Sequence, residues 1–79
     1  MMKWVKGKTK RLTKGYSVTV YSAEGTPAII EERRYALETR SLVLFDTIYN
    51  GQKYGGFTTF RGAKTYIERK LEMEADANG

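Results

Sequence analysis

Glu31, Glu32, Glu38 and Asp46 are the residues on which general acid–base chemistry would have to rest, since two carboxyl groups at a set separation suffice to cleave a glycosidic bond. Glu31 and Glu32 are adjacent, so they point to opposite sides of a strand and stand about 100° apart on a helix. The sequence contains no histidine and no cysteine. It therefore lacks the usual base near neutral pH, a thiolate nucleophile, and the ligands of zinc, haem and iron–sulfur sites. Catalysis is not expected, and neither is a cofactor, a metal site or a small-molecule substrate. Gly51, Gly55 and Gly56 match neither dinucleotide-binding nor P-loop spacing. Gly55-Gly56 reads more simply as a bulge, or as room for a neighbouring aromatic ring.

Binding chemistry is better supplied. Residues 1–15 carry Lys3, Lys6, Lys8, Lys10, Arg11 and Lys14 without an acid, whereas the rest of the chain is close to neutral, so the net charge of +5 belongs to the N-terminal segment. Such a segment can neutralise phosphates and steer a nucleic acid. A solubilising tail, or a charged edge strand that blocks sheet-to-sheet pairing, would account for the same lysines. Around Asn50-Gly51 stand Tyr49, Lys53 and Tyr54, and Trp4, Tyr16 and Tyr21 lie near the basic segment. Exposed rings stack bases while cations hold phosphates, although strand aromatics more often simply pack. Arg33, Arg34 and Arg40 form a second basic group, diluted by Glu31, Glu32 and Glu38.

These residues need elements to position them. Tyr16 to Tyr21 alternates strictly, with β-branched, aromatic or serine side chains throughout, and predicts a strand. Ala23 to Thr26 predicts a turn. Residues 27–40 admit two readings: Thr26-Pro27 looks like a helix start, but a helix would set Arg33 and Arg40 in the stripe of Ile29, Ile30, Ala36 and Leu37. A strand over 28–34 is preferred. Asn50-Gly51 between Leu42–Tyr49 and Gln52–Phe57 predicts a hairpin, pairing Tyr49 with Gln52, Thr47 with Tyr54, Phe45 with Gly56 and Leu44 with Phe57. Both of its faces are apolar, and Val43, Phe45, Tyr49 and Tyr54 are expected to meet a partner. Thr58 or Thr59 caps a final helix running to about Met73, with Phe60, Ala63, Ile67 and Leu71 on its buried face.

The chain has 79 residues, enough for one domain. The expected organisation is a basic arm over 1–15, extended and partly mobile, a domain over 16–74 and a frayed tail over 75–79. The expected fold class is α+β, a small antiparallel sheet of three to four strands packed on one face by a C-terminal helix. No apolar run reaches the roughly 18–20 residues of a membrane span, and no export signal follows the basic start, so the expectation is a cytoplasmic protein without a membrane partner.

The segment from Tyr49 to Ile67, with its hairpin, Gly-Phe strand and Thr-Phe step into a helix bearing Ala63-Lys64, resembles a recurrent ending of small phage and prophage proteins. In outline it is also similar to the arm-type DNA-binding domain of phage integrases. That resemblance implies a sheet face laid against DNA, with Lys53, Tyr54 and Arg33 or Arg34 making contacts. Two functions are carried forward. One is DNA or RNA binding through the basic arm, the sheet face, Lys53 and Tyr54. The other is inhibition of a host protein through an apolar sheet face, which also admits a homodimer.

Overall fold

The computed structural model describes residues 3–78, with side chains for residues 3–74. Five strands, β1 (Trp4–Thr13), β2 (Tyr16–Ala23), β3 (Ala28–Ala36), β4 (Ser41–Tyr49) and β5 (Gln52–Phe57), precede one helix, α1 (Phe60–Asn78). The strands form a single antiparallel meander in the order β1-β2-β3-β4-β5. The fold class is α+β as expected, but the sheet has five strands rather than three to four.

The additional strand is the segment expected to be an extended, partly mobile arm, with a charged edge strand as the alternative, and it is the edge strand. Its pattern hides the strand because the pairing slips between Lys6 and Thr9: Lys6 opposes Tyr21 and Thr9 opposes Thr19. Gly7 sits in this bulge, and a Cβ there would stand 2.7 Å from the Val20 carbonyl oxygen. Only glycine lets the two backbones approach so closely.

Residues 28–36 are a strand, which settles the ambiguity of that region. The apparent helix start belongs to the preceding turn, where the Thr26 hydroxyl accepts a hydrogen bond from the Ala28 N–H at 3.1 Å. A hydroxyl that caps a helix serves equally to close a turn. The β4–β5 hairpin closes at Asn50-Gly51, both with positive φ (55° and 83°), as two-residue turns of this type require.

The hairpin register departs from simple two-residue closure. Tyr49 opposes Gln52 as expected, but beyond a bulge Asp46 opposes Gly56 and Phe45 opposes Phe57. Gly55 takes φ 80°, and the Thr47 hydroxyl donates to the Tyr54 carbonyl at 2.7 Å, so this fully buried side chain is satisfied. The slip carries Phe57 to the same side as Phe45.

That side is the one α1 covers. Thr59 caps the helix, its hydroxyl accepting from the Gly62 N–H at 3.0 Å. Ala63 and Ile67 are then buried against Ala23, Ala28, Ile30 and Phe45, with Trp4, Tyr21, Val43, Tyr49, Phe57, Phe60 and Leu71 around them. Complete burial of Ile30 and Ile67 stabilises the fold by about 1.5–3 kcal/mol each. The helix backbone continues to Asn78, past the end expected at Met73. Of the tail expected over 75–79, the side chains and Gly79 lie outside the described residues.

Replacing Gly7 by alanine should cost about 1–3 kcal/mol, because the methyl group meets backbone that cannot move without opening the β1–β2 ladder. Urea unfolding measures this; a loss below about 0.5 kcal/mol would show that the close approach is not needed.

Candidate nucleic-acid interface

Strand pairing fixes which residues share a face. The helix side carries Ala28, Ile30, Glu32 and Arg34 of β3 opposite Tyr49, Thr47, Phe45 and Val43 of β4. The other side carries Ile29, Glu31, Arg33 and Tyr35 opposite Ile48, Asp46, Leu44 and Leu42. No element of the described chain packs on this second face, since α1 contacts β3, β4 and β5 from the first.

The partner surface expected at Val43, Phe45, Tyr49 and Tyr54 is therefore corrected. Phe45 is in the core, Val43 and Tyr49 pack against it, and the Tyr54 ring lies 4.1 Å beneath the Lys70 ammonium of α1. The chain's own helix occupies that side. Both faces of β3 carry a glutamate and an arginine, but on the helix side these, Glu32 and Arg34, lie toward the uncovered end while Ala28 and Ile30 meet the helix, and on the reverse Glu31, Arg33 and Asp46 form ion pairs. Lys53 projects to the open face instead, where its Nζ is 3.6 Å from Asp46 Oδ2. Lys53 and Tyr54 thus stand on opposite sides of the sheet.

On the open face, Arg33 is held between two acids. Its Nη2 donates to Glu31 Oε1 at 3.2 Å, and its Nε is 3.0 Å from Asp46 Oδ2. The second contact is ionic but badly aligned, leaving the buried Nε–H without a hydrogen bond. The hydrogen bond to Glu31, before all other causes, raises the Arg33 pKa further, so its charge is permanent. Beyond it, the rings of Tyr16 and Tyr35 stack at 4.7 Å and 8° between planes.

The β1 cations border this face and also reach round to the helix side. Lys8 and Lys10 line a cleft of about 420 Å³ with Leu12, Tyr16, Val18, Val20, Glu31 and Arg33. Lys6 and Arg11 oppose Tyr21 and Ser17, which places them on the helix side. Lys6, Lys8, Lys10, Arg11 and Lys14 are all exposed and form no salt bridge among the described residues, whereas Lys3 is 4.0 Å from Glu24. Pairing of β1 with β2 holds Lys6 and Arg11 toward one face and Lys8 and Lys10 toward the other, and Lys14 lies in the turn that follows. Same-side residues of a strand recur roughly every 6.6 Å, a spacing suited to successive phosphates.

Comparison of the chain with protein-family models, curated proteins and solved structures finds no match. No helix among the described residues is long and apolar enough to cross a membrane.

Sequence reasoning missed the Tyr16–Tyr35 pair because Tyr35 lies in the ambiguous stretch. Once β2 and β3 pair across the Ala23–Thr26 turn, Tyr16 faces Tyr35 directly. On the helix side, Tyr21 donates to Glu32 Oε1 at 2.9 Å, and Glu32 Oε2 accepts from Arg34 Nη2 at 3.1 Å. Burial first, then this hydrogen bond, raises the Tyr21 phenol above its ordinary value of 10.0. The folded state thus holds the proton more tightly than the unfolded chain. Stability from this contact is complete below pH about 10 and is lost as pH rises through the folded value. Thermal melts should show an alkaline decline that Tyr21→Phe reduces; an unchanged decline would assign it to other groups.

Proposed function

We propose that this chain is a small nucleic-acid-binding protein that engages single strands along β1 and the adjoining open sheet face. The observation that carries the reading is five exposed cations without acidic partners among the described residues, Lys6, Lys8, Lys10 and Arg11 on a hydrogen-bonded edge strand and Lys14 in the turn that follows it. A flexible tail would lose conformational entropy on binding, whereas an ordered strand presents its charges in place. Tyr16 and Tyr35 stand beside the Lys8–Lys10 cleft. They offer a ring surface on which a base can stack, a contact worth about 1–3 kcal/mol per base. The similarity in outline to the arm-type DNA-binding domain of phage integrases implies DNA contact too, but through a sheet face on duplex DNA with Lys53 and Tyr54, whereas here β1 is the principal contact.

A second reading, as a module that binds and inhibits a host protein, rests on the apolar content of the same face. Val20 and Leu42 are exposed there, with Val18, Ile29, Leu44 and Ile48 half-buried between them. The central Glu31–Arg33–Asp46–Lys53 ion network interrupts that apolar area, and an interrupted patch makes a weaker dry interface.

Titration of labelled oligonucleotides at rising salt separates the two. If all five cations meet phosphates, log affinity should fall by about 3.5 units per log unit of salt for single strands. Substitution of Lys8 or Lys10 by glutamine should lower that slope by about 0.7 each. Absence of binding to DNA and RNA at low salt would exclude this function and leave the protein-binding module.

A further inference from the structure

On the helix side, α1 stops short of the end formed by the β1–β2 and β3–β4 turns. There the sheet is bare, and a separate cleft of about 310 Å³ is lined by Arg11, Thr13, Lys14, Gly15, Tyr16, Ser17, Arg34, Ala36 and Ser41. Its floor follows from the register. Arg11 opposes Ser17, Ser17 opposes Arg34, and Ala36 opposes Ser41, so four strands contribute to one face. The Ala36 N–H donates to the Gly15 carbonyl at 2.6 Å, tying the β1–β2 turn to β3.

None of the lining residues is acidic and three are cationic. Arg34 gives one N–H to Glu32, which lies outside the cleft lining, and a guanidinium has four more to offer. The net charge about the cleft, counting Glu32, is therefore two positive. An internal phosphodiester carries one negative charge and needs two exits for its flanking sugars. A terminal phosphomonoester carries about −1.5 to −2 and needs one. The charge and the hydroxyls of Ser17 and Ser41 match the second.

We propose that this cleft seats the terminal phosphate of a nucleic-acid strand, with Arg11, Lys14 and Arg34 as its cationic ligands, so that the protein distinguishes phosphorylated strand ends from hydroxyl ends. The inference rests on the nucleic-acid reading above and adds an end preference to it.

The test compares fluorescence anisotropy of one oligonucleotide bearing a 5′-phosphate, a 3′-phosphate or only hydroxyl ends, labelled internally. One phosphorylated form should bind about tenfold more tightly than the hydroxyl form, a preference worth about 1.4 kcal/mol. Arg11→Gln, Lys14→Gln and Arg34→Gln should each abolish most of it, while Lys6→Gln, outside the cleft, should weaken all three oligonucleotides alike. Thermal melts of each variant establish that it folds; these side chains are exposed, so they should. Equal affinity for all three ends, with salt-dependent binding intact, would overturn the end preference and leave the general reading standing. If no oligonucleotide binds, both fall, and phosphoserine peptides then show whether the cleft takes phosphate from a protein.

Discussion

The architecture is governed by a mismatch of area between one helix and five strands. A helix with its side chains is about 10–12 Å across, whereas five strands at about 4.8 Å spacing make a sheet roughly 19 Å wide with two faces. Helix α1 therefore covers one face, and only part of that. Along the other direction the longest strand spans roughly 33 Å and the helix roughly 28 Å, both less than the 50 Å long axis. They are staggered along it. The fold has a packed end, built on Ala63 and Ile67, and a bare end that carries Arg11, Lys14, Arg34 and the Tyr16–Tyr35 pair.

Much of this was legible in the residues because several elements obey one local rule strongly. Asn50-Gly51 closes a hairpin as its positive-φ preference demands, Thr59 caps α1, and the alternation from Tyr16 to Tyr21 is a strand. What escaped were three register shifts. Each moves the alternation by one residue, at Gly7–Lys8, at Leu12 and at Tyr54–Gly55, so a period-two pattern read across them assigns the wrong face. Strand β1 vanished for a second reason: lysine and glycine have low strand propensity, and its order derives from the partner β2.

The functional residues were legible in kind and not in place. The charge of Lys6, Lys8, Lys10, Arg11 and Lys14 is plain in the sequence, but that the first four are held on an ordered strand follows only from pairing. For β4 the sequence offers two apolar faces and no means of choosing between them. The choice is made with β3, where Ala28 and Ile30 meet the helix with Glu32 and Arg34 set toward the uncovered end, while Glu31 and Arg33 on the reverse pair with each other and with Asp46. Buried and open faces were thereby exchanged relative to the sequence expectation, and the ion network around Arg33 marks the open one.

Because spatial order repeats chain order, each sheet pairing joins consecutive segments and closes a short loop, whose entropic cost is small. The packing of α1 on β2, β3 and β4 breaks this pattern, and its most distant contact is with Trp4. Trp4 sits edge-on to Phe60 at 6.1 Å and donates its indole N–H to Glu68 at 3.1 Å, a separation of 64 residues. The joining of the first strand to the helix is the most distant of these contacts in sequence. The single tryptophan lies at that junction, so its fluorescence reports the joining of the first strand to the helix, separately from the backbone signal of the sheet.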